Sequence, residues 1–333
     1  MREFTIRRND AGQRLDHFFR KAAPQMPASL LYKALRTKRI KCNGKRAEGS
    51  LRLCEGDRLE CWLPEETFAP PAYQYDFLCA RQELDLLYED ENILLANKPA
   101  GLLSHPDAGE YCDTLLGRIQ RYLCEKGEYH PAKESSFAPA LVNRIDRNTE
   151  GVVIAAKTAA ALRILNEKMK LRELRKFYLC AVHGTPAQGE PQPEGWRLLR
   201  GWLRKEPNKA QVRVFAAPQP DAKEILTRYR VLAERDGLSL LEVELLTGRT
   251  HQVRAQFAAI GHALVGDGKY APRAAYAASG RRRQCLASAR LVFAFQTPAE
   301  ELQYLQDLEV HLPRVAFVQT LFGEDSVDFL KKT

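Results

Sequence analysis

Two apolar-rich runs, Ile225 to Glu234 and Leu238 to Leu246, are separated only by Arg235-Asp236-Gly237. A connection that short cannot hold a crossover helix, so the two runs must pair antiparallel, and Asp-Gly is a strong signal for the tight hairpin turn this needs. Further strands are suggested at Lys176–Gly184, at Ala210–Ala216 and, as a short buried run, at Val152–Ala156. The clearest helix begins at Thr158, a plausible N-cap, and runs to about Leu174, with Leu162, Leu165 and Met169 on one face. Successive strands with short turns, interrupted by a few helices, predict an α+β fold with a mainly antiparallel or mixed central sheet flanked by helices. No internal repeat or low-complexity tract interrupts the pattern.

Charge divides the chain. Residues 1–63 hold 15 Lys and Arg against 7 Asp and Glu, an excess of eight, whereas the remaining 270 hold 36 against 35. Within the basic segment, Ser29 to Arg36 reads as an amphipathic helix with Leu31, Ala34 and Leu35 on one face and Lys33 and Arg36 off it. Arg39 to Arg46 reads as a strand turning at Asn43-Gly44. A positive helix and hairpin on one small module is a nucleic-acid footprint, because counterion release rewards clustered cations on phosphate. Pro64, Pro70 and Pro71 then mark a linker. The expected organisation is a nucleic-acid-binding domain, for RNA or DNA, over 1–63, a linker over 64–83 and a second, larger domain over 84–333.

Several classes are disfavoured. The eight cysteines form no CxxC pair and the seven histidines no HxxxH, so they are expected to be reduced thiols and histidines without a zinc site. Gly266-Asp267-Gly268-Lys269 lacks the earlier glycine of a Walker loop, Ala263 standing in its place, and no G-x-G-x-x-G follows a strand. A metal-dependent nuclease would need clustered carboxylates, and none accompanies Asp146. The opening residues lack a secretory apolar region, and no apolar run approaches the roughly 18 residues of a membrane span. The expectation is a cytoplasmic monomer with a nucleic-acid partner, RNA or DNA, and no membrane.

Two polar constellations carry the chemistry. In Leu141-Val-Asn-Arg144-Ile-Asp146-Arg147, one carboxylate lies between two guanidinium groups, just before the turn read at Asn148–Gly151. An acid so flanked is expected to be ionised, and an ionised acid can serve as base or nucleophile. A hundred residues later, Gly248 to Gln252 places Arg249, Thr250 and His251 at the end of a strand and the start of a helix, where an anion would be favoured. Arg254 reads as lying off that helix's apolar face.

These blocks resemble a known family. Asn143–Gly151 is similar to the H-R-[LI]-D-R-x-T-S-G signature of RluA-type pseudouridine synthases. Lys176–Gly184, Leu245–Arg254, Gly261–Tyr270 and Asn97–Asp107 resemble that family's other blocks in the right order. The resemblance spans about 84–310, and the module at about 13–62 resembles the RNA-binding domain named for the fourth small-subunit ribosomal protein. It implies a pseudouridine synthase fold and isomerisation of uridine in RNA with no cofactor and no metal. It further implies that Asp146 is the catalytic carboxylate, that Arg144 takes the place of the everted uridine, and that Tyr178 packs on the base. Arg249 would be the basic partner of the acid and Leu286 the apolar wall. Large-subunit ribosomal RNA is the expected substrate, with transfer RNA, or a noncatalytic RNA-binding or assembly role, as alternatives. Asn143, Glu150 and Ala287-Ser288 depart from the family pattern, which has His, Ser and His-Ala there.

Overall fold

The computed structural model describes residues 1–68, 77–107, 109–207 and 211–323. The N-terminal unit contains β1 (Arg2–Thr5), α1 (Leu15–Ala22), α2 (Ala28–Arg36), β2 (Ile40–Cys42), β3 (Lys45–Arg46) and β4 (Arg58–Cys61). Its sheet runs β1-β4-β2-β3, every pairing antiparallel. The expected hairpin forms because Asn43 (φ 51°) and Gly44 (φ 74°) both take the left-handed conformation that the favoured two-residue turn demands. Leu31, Ala34 and Leu35 of α2 pack with Phe4, Phe18 and Phe19, and the last two rings meet edge to face at 5.4 Å. Phe68 is buried in this same core, so the N-terminal unit extends past residue 63. The middle of the expected linker, 69–76, lies outside the described residues.

The larger unit contains β5 (Asp85–Glu89), β6 (Ile93–Lys98), α3 (Leu115–Glu125), β7 (Ala140–Leu141), β8 (Glu150–Ala156), α4 (Ala159–Lys170) and β9 (Leu174–His183). Then follow β10 (Glu190–Pro191), β11 (Arg197–Lys205), β12 (Val212–Phe215), β13 (Lys223–Arg235), β14 (Leu238–Leu245) and α5 (Gln252–Ala259). The last elements are α6 (Arg273–Ala278), β15 (Leu286–Phe293), β16 (Glu309–His311) and α7 (Ala316–Phe322). The main sheet has the order β10-β11-β13-β14-β9-β15-β8-β6-β5, with β12, β16 and β7 attached beside β11, β15 and β8. Among the described strand-to-strand pairings, only β8 with β15 is parallel. The sheet is therefore mixed but mainly antiparallel, in an α+β fold.

The β13–β14 hairpin turns at Asp236 (φ 51°) and Gly237 (φ 73°), as their spacing demands. Strand β8 is buried on both sides. Val152, Ile154 and Ala156 join one apolar cluster, with Ile164 and Leu165 of α4, and Val153 and Ala155 join the other, with Leu115 and Ile119 of α3. That double burial explains why this strand reads as an unbroken apolar run rather than an alternating one. Helix α4 is capped as expected, Thr158 Oγ1 accepting from Ala161 N at 3.1 Å. It stops at Lys170, short of the expected Leu174, because Arg172 takes φ 63° and β9 begins at Leu174.

Two expectations change. Gly151 belongs to β8 rather than to a turn. At φ 124°, a Cβ there would fall 2.2 Å from Ser288 O of β15, so glycine is what lets these strands pair at that point. Cys79 and Cys112, expected to be reduced like the others, form a disulfide with Cα atoms 5.5 Å apart. They are 33 residues apart in sequence and meet because the turn Phe77–Cys79 packs against α3, a proximity no local spacing reveals. Of the other six, Cys42, Cys61, Cys180 and Cys285 are buried.

Candidate active site

Residues 143–149 form a loop whose course is set by polar groups beneath it. Ser104 Oγ donates to Ile145 O at 2.9 Å, Gly101 N donates to Arg147 O at 2.7 Å, and Thr149 N donates to Asp146 O at 3.0 Å. The Lys98 ammonium, fully buried, donates to the carbonyls of Pro99, Leu102 and Arg147 at 3.0, 2.7 and 3.0 Å. Its three protons thus meet three acceptors. Burial pushes the Lys98 amine down to about 7, opposed by the nearby charges of Asp146 and Glu150. Asn143 Oδ1 accepts from Ile154 N at 2.8 Å, tying the start of the loop to β8. With Ile145 sunk into the core, Asp146 faces a cleft of about 560 Å³, a volume suited to a small-molecule moiety.

The cleft brings together Arg144, Asp146, Tyr178, Arg249 and Leu286 from separate parts of the chain. Tyr178, on β9, is buried except for its surface on the cleft, and burial pushes its phenol up to about 12, so it stays neutral. Leu286 opens β15 and supplies apolar wall.

The partner of Asp146 differs from the expected one. Arg254 Nη1 donates to Asp146 Oδ2 at 2.8 Å, whereas Arg249 is exposed on the rim and takes no carboxylate among the described residues. Neither Arg144 nor Arg147 pairs with the acid; Arg147 Nε instead donates to Gly101 O at 3.0 Å. The reason lies in how α5 starts. His251 adopts φ 55°, so the left-handed residue of this junction is the histidine and not Gly248, and the first helical turn swings Arg254 inward while Arg249 stays outside.

Arg254 is clamped from behind. Asp267, fully buried, accepts from Arg254 Nε at 2.7 Å and Nη2 at 2.9 Å, and Asp267 Oδ1 also accepts from Lys269 N at 3.0 Å. Burial works against both charges, but the contact more than offsets it: the Asp267 carboxyl is held below its usual range and the Arg254 guanidinium above its own. The fork against Asp267 leaves Nη1 pointing at Asp146. Tyr270 lies under the guanidinium, 5.3 Å from ring centre to carbon, and its hydroxyl is 2.7 Å from His251 Nδ1. Burial lowers the His251 imidazole and keeps it neutral, with Nε2 3.8 Å from Asp146 Oδ2. Arg254, Asp267, Lys98 and Ser104 were not singled out for these roles by sequence. All four lie within the recognised blocks, but the Arg254–Asp267 partnership joins residues 13 apart, one on α5 and one in the loop after it. Among the described residues, no three or more His, Cys, Asp or Glu side chains converge as a metal site would require.

Comparison with known proteins identifies the family. Residues 92–259 match the family model for RNA pseudouridylate synthase, a span that includes Asp146, Tyr178 and Arg254. An uncharacterised RNA pseudouridine synthase of Mycoplasma genitalium is 31% identical over 80% of this chain and 81% of its own length. Ribosomal large subunit pseudouridine synthase C of Vibrio cholerae is 30% identical over 91% of this chain and 91% of its own. The solved human RNA pseudouridylate synthase domain containing 1 shares the fold, with a TM-score of 0.51 and 19% identity over 76% of this chain and 96% of that one. The chain therefore belongs to the RluA-type RNA pseudouridylate synthase family.

Proposed function

We propose that this protein isomerises uridine to pseudouridine in large-subunit ribosomal RNA, with Asp146 as the catalytic carboxylate. The observation that carries the reading is the meeting of Asp146, Arg254 and Tyr178 in one cleft. The name of the Vibrio cholerae relative, which aligns over nine tenths of both chains, supports the ribosomal substrate.

Isomerisation must break the bond from nitrogen 1 to the ribose and remake it at carbon 5, so the nucleoside has to leave its stack, at a cost of a few kcal/mol. Arg144, exposed at the cleft mouth, fills the gap it leaves. Tyr178 offers a flat neutral face for the base, and Leu286 excludes water beside it. Arg254 holds Oδ2 of Asp146 and aims the carboxylate. Its Oδ1 has no hydrogen-bond partner among the described residues and is the oxygen free to act on the sugar or base. Attack on the sugar, attack on the base and removal of a ribose proton all begin from that oxygen. The same acid then carries the proton from carbon 5.

Before the cleft, RNA would meet the N-terminal unit, which acts as the RNA-binding module. Lys33, Arg36, Lys38, Arg39, Lys45 and Arg46 are all exposed, and none has a carboxylate partner among the described residues. Tritium release from carbon-5-labelled uridine in large-subunit ribosomal RNA tests the assignment. Asp146→Asn should abolish release and leave RNA affinity within about twofold. Substantial turnover by that variant refutes the role of Asp146, and mapping pseudouridines in host RNA with and without the protein identifies the site.

A further inference from the structure

The catalytic cleft has a second cationic end that the reading above does not use. Lys176 lines the cleft from β9, two residues before Tyr178, hence on the same side of the strand and about 6.6 Å along it. Its side chain is half-buried, and its one hydrogen bond among the described residues is to the thioether of Met169 at 3.1 Å, a weak acceptor. Among the described residues no carboxylate pairs with it, and burial lowers its amine. Lys168, eight residues earlier and also buried, shows how this fold treats a lysine that serves the structure, since its ammonium meets Glu173 at 2.9 Å and the hydroxyl of Thr297 at 2.6 Å. The neighbours of Lys176 along the cleft are Lys170, Arg172 and Arg175, of which only Arg175 has a carboxylate partner among the described residues, Glu244 at 2.7 Å.

A half-buried ammonium without an anion costs free energy unless something supplies the anion. We propose that Lys176 is a positioning residue that binds a backbone phosphate of the RNA strand beside the nucleoside held on Tyr178, with Lys170 and Arg172 at the mouth drawing the strand in. This rests on reading the cleft as the uridine site. The phosphate contact would set how deep the everted nucleoside sits, a matter of binding rather than bond breaking.

The test uses the full-length protein and a transcript of large-subunit ribosomal RNA carrying tritium at carbon 5 of uridine. Lys176→Met keeps the length of the stem and removes the charge. It should raise KM about tenfold, leave kcat within about twofold, and flatten the slope of log affinity against log salt by about 0.7 to 0.9, the loss of one phosphate contact. Lys176→Arg should restore KM and slope, and Lys176→Gln should behave like Lys176→Met. Unchanged KM and slope in Lys176→Met overturn the proposal. So does a fall in kcat alone, or loss of the cooperative thermal transition in both the Met and Gln variants, either of which places Lys176 in the chemistry or the fold. Absence of tritium release by the unsubstituted protein would instead sink the underlying reading of the cleft. Turnover by that protein with no effect of Lys176→Met sinks only the phosphate assignment.

Discussion

At the scale of single residues, the site depends on one guanidinium serving two carboxylates. Arg254 is buried between Asp267 and Asp146, so it cannot be replaced by a point charge without losing the fork that aims it. Arg254→Lys should keep most of the stability yet lower kcat/KM at least about a hundredfold in the tritium-release assay. Arg254→Ala leaves the Asp267 carboxylate buried and unpaired, and urea unfolding should show a loss of about 3–5 kcal/mol. Lys98 makes a pH prediction. Its folded value of about 7 lies below the 10.5 of an ordinary lysine. Below pH 7 both folded and unfolded chains carry the proton, and the full cost of burying it is present. Between about 7 and 10.5 the unfolded chain binds more protons, so this group makes stability rise with pH. Urea unfolding at pH 6.5 and pH 9 should show a smaller rise for Lys98→Met than for the unsubstituted protein.

At the scale of elements, the loop that carries Asp146 runs from β7 to β8 over the end of β6, and β8 holds its place through its parallel pairing with β15. The close approach of Gly151 to Ser288 is what permits that parallel contact. Gly151→Ala adds a methyl group against backbone at a positive φ, so the strands must separate. A loss of more than about 2 kcal/mol in chemical denaturation is expected, together with reduced turnover, because Asp146 lies five residues before the glycine. The cap of α4 is a milder case. Thr158→Ala removes the hydroxyl that accepts from Ala161 N and should cost about 1 kcal/mol in the same measurement, with no change in KM.

At the scale of the whole molecule, the basic unit is fastened to the catalytic body directly. Arg7 donates to Lys133 O at 2.9 Å, Gln13 to Ser136 Oγ at 2.7 Å, and Ser136 Oγ to Asp10 Oδ1 at 2.6 Å. A linker alone would leave its cations at variable distance from the cleft, whereas these bonds give them a fixed one. Replacing Lys33, Arg36, Lys38 and Arg39 by Gln should flatten the salt dependence of RNA binding by about 3 in log–log slope, with kcat at saturating RNA little changed. An unchanged slope in filter-binding or fluorescence titrations would mean that this face does not touch phosphate.

The sequence by itself determined the hairpins, the helix cap at Thr158, the doubly buried β8 and the presence of an acid on a turn before it. These follow from nearest neighbours: a turn residue's φ, a hydroxyl three residues before a free amide, an unbroken apolar run. The cleft's membership was legible through motifs, which name residues but not their mutual distances. Which arginine reaches Asp146 was settled by the left-handed turn at His251, the reach of Asp267 behind the guanidinium, and a meeting of residues 108 apart. The Cys79–Cys112 pair and the docking of the N-terminal unit are of the same kind. Only the tertiary structure decided them, because ion pairs, disulfides and domain contacts depend on where distant backbones stop, and no local pattern encodes that position.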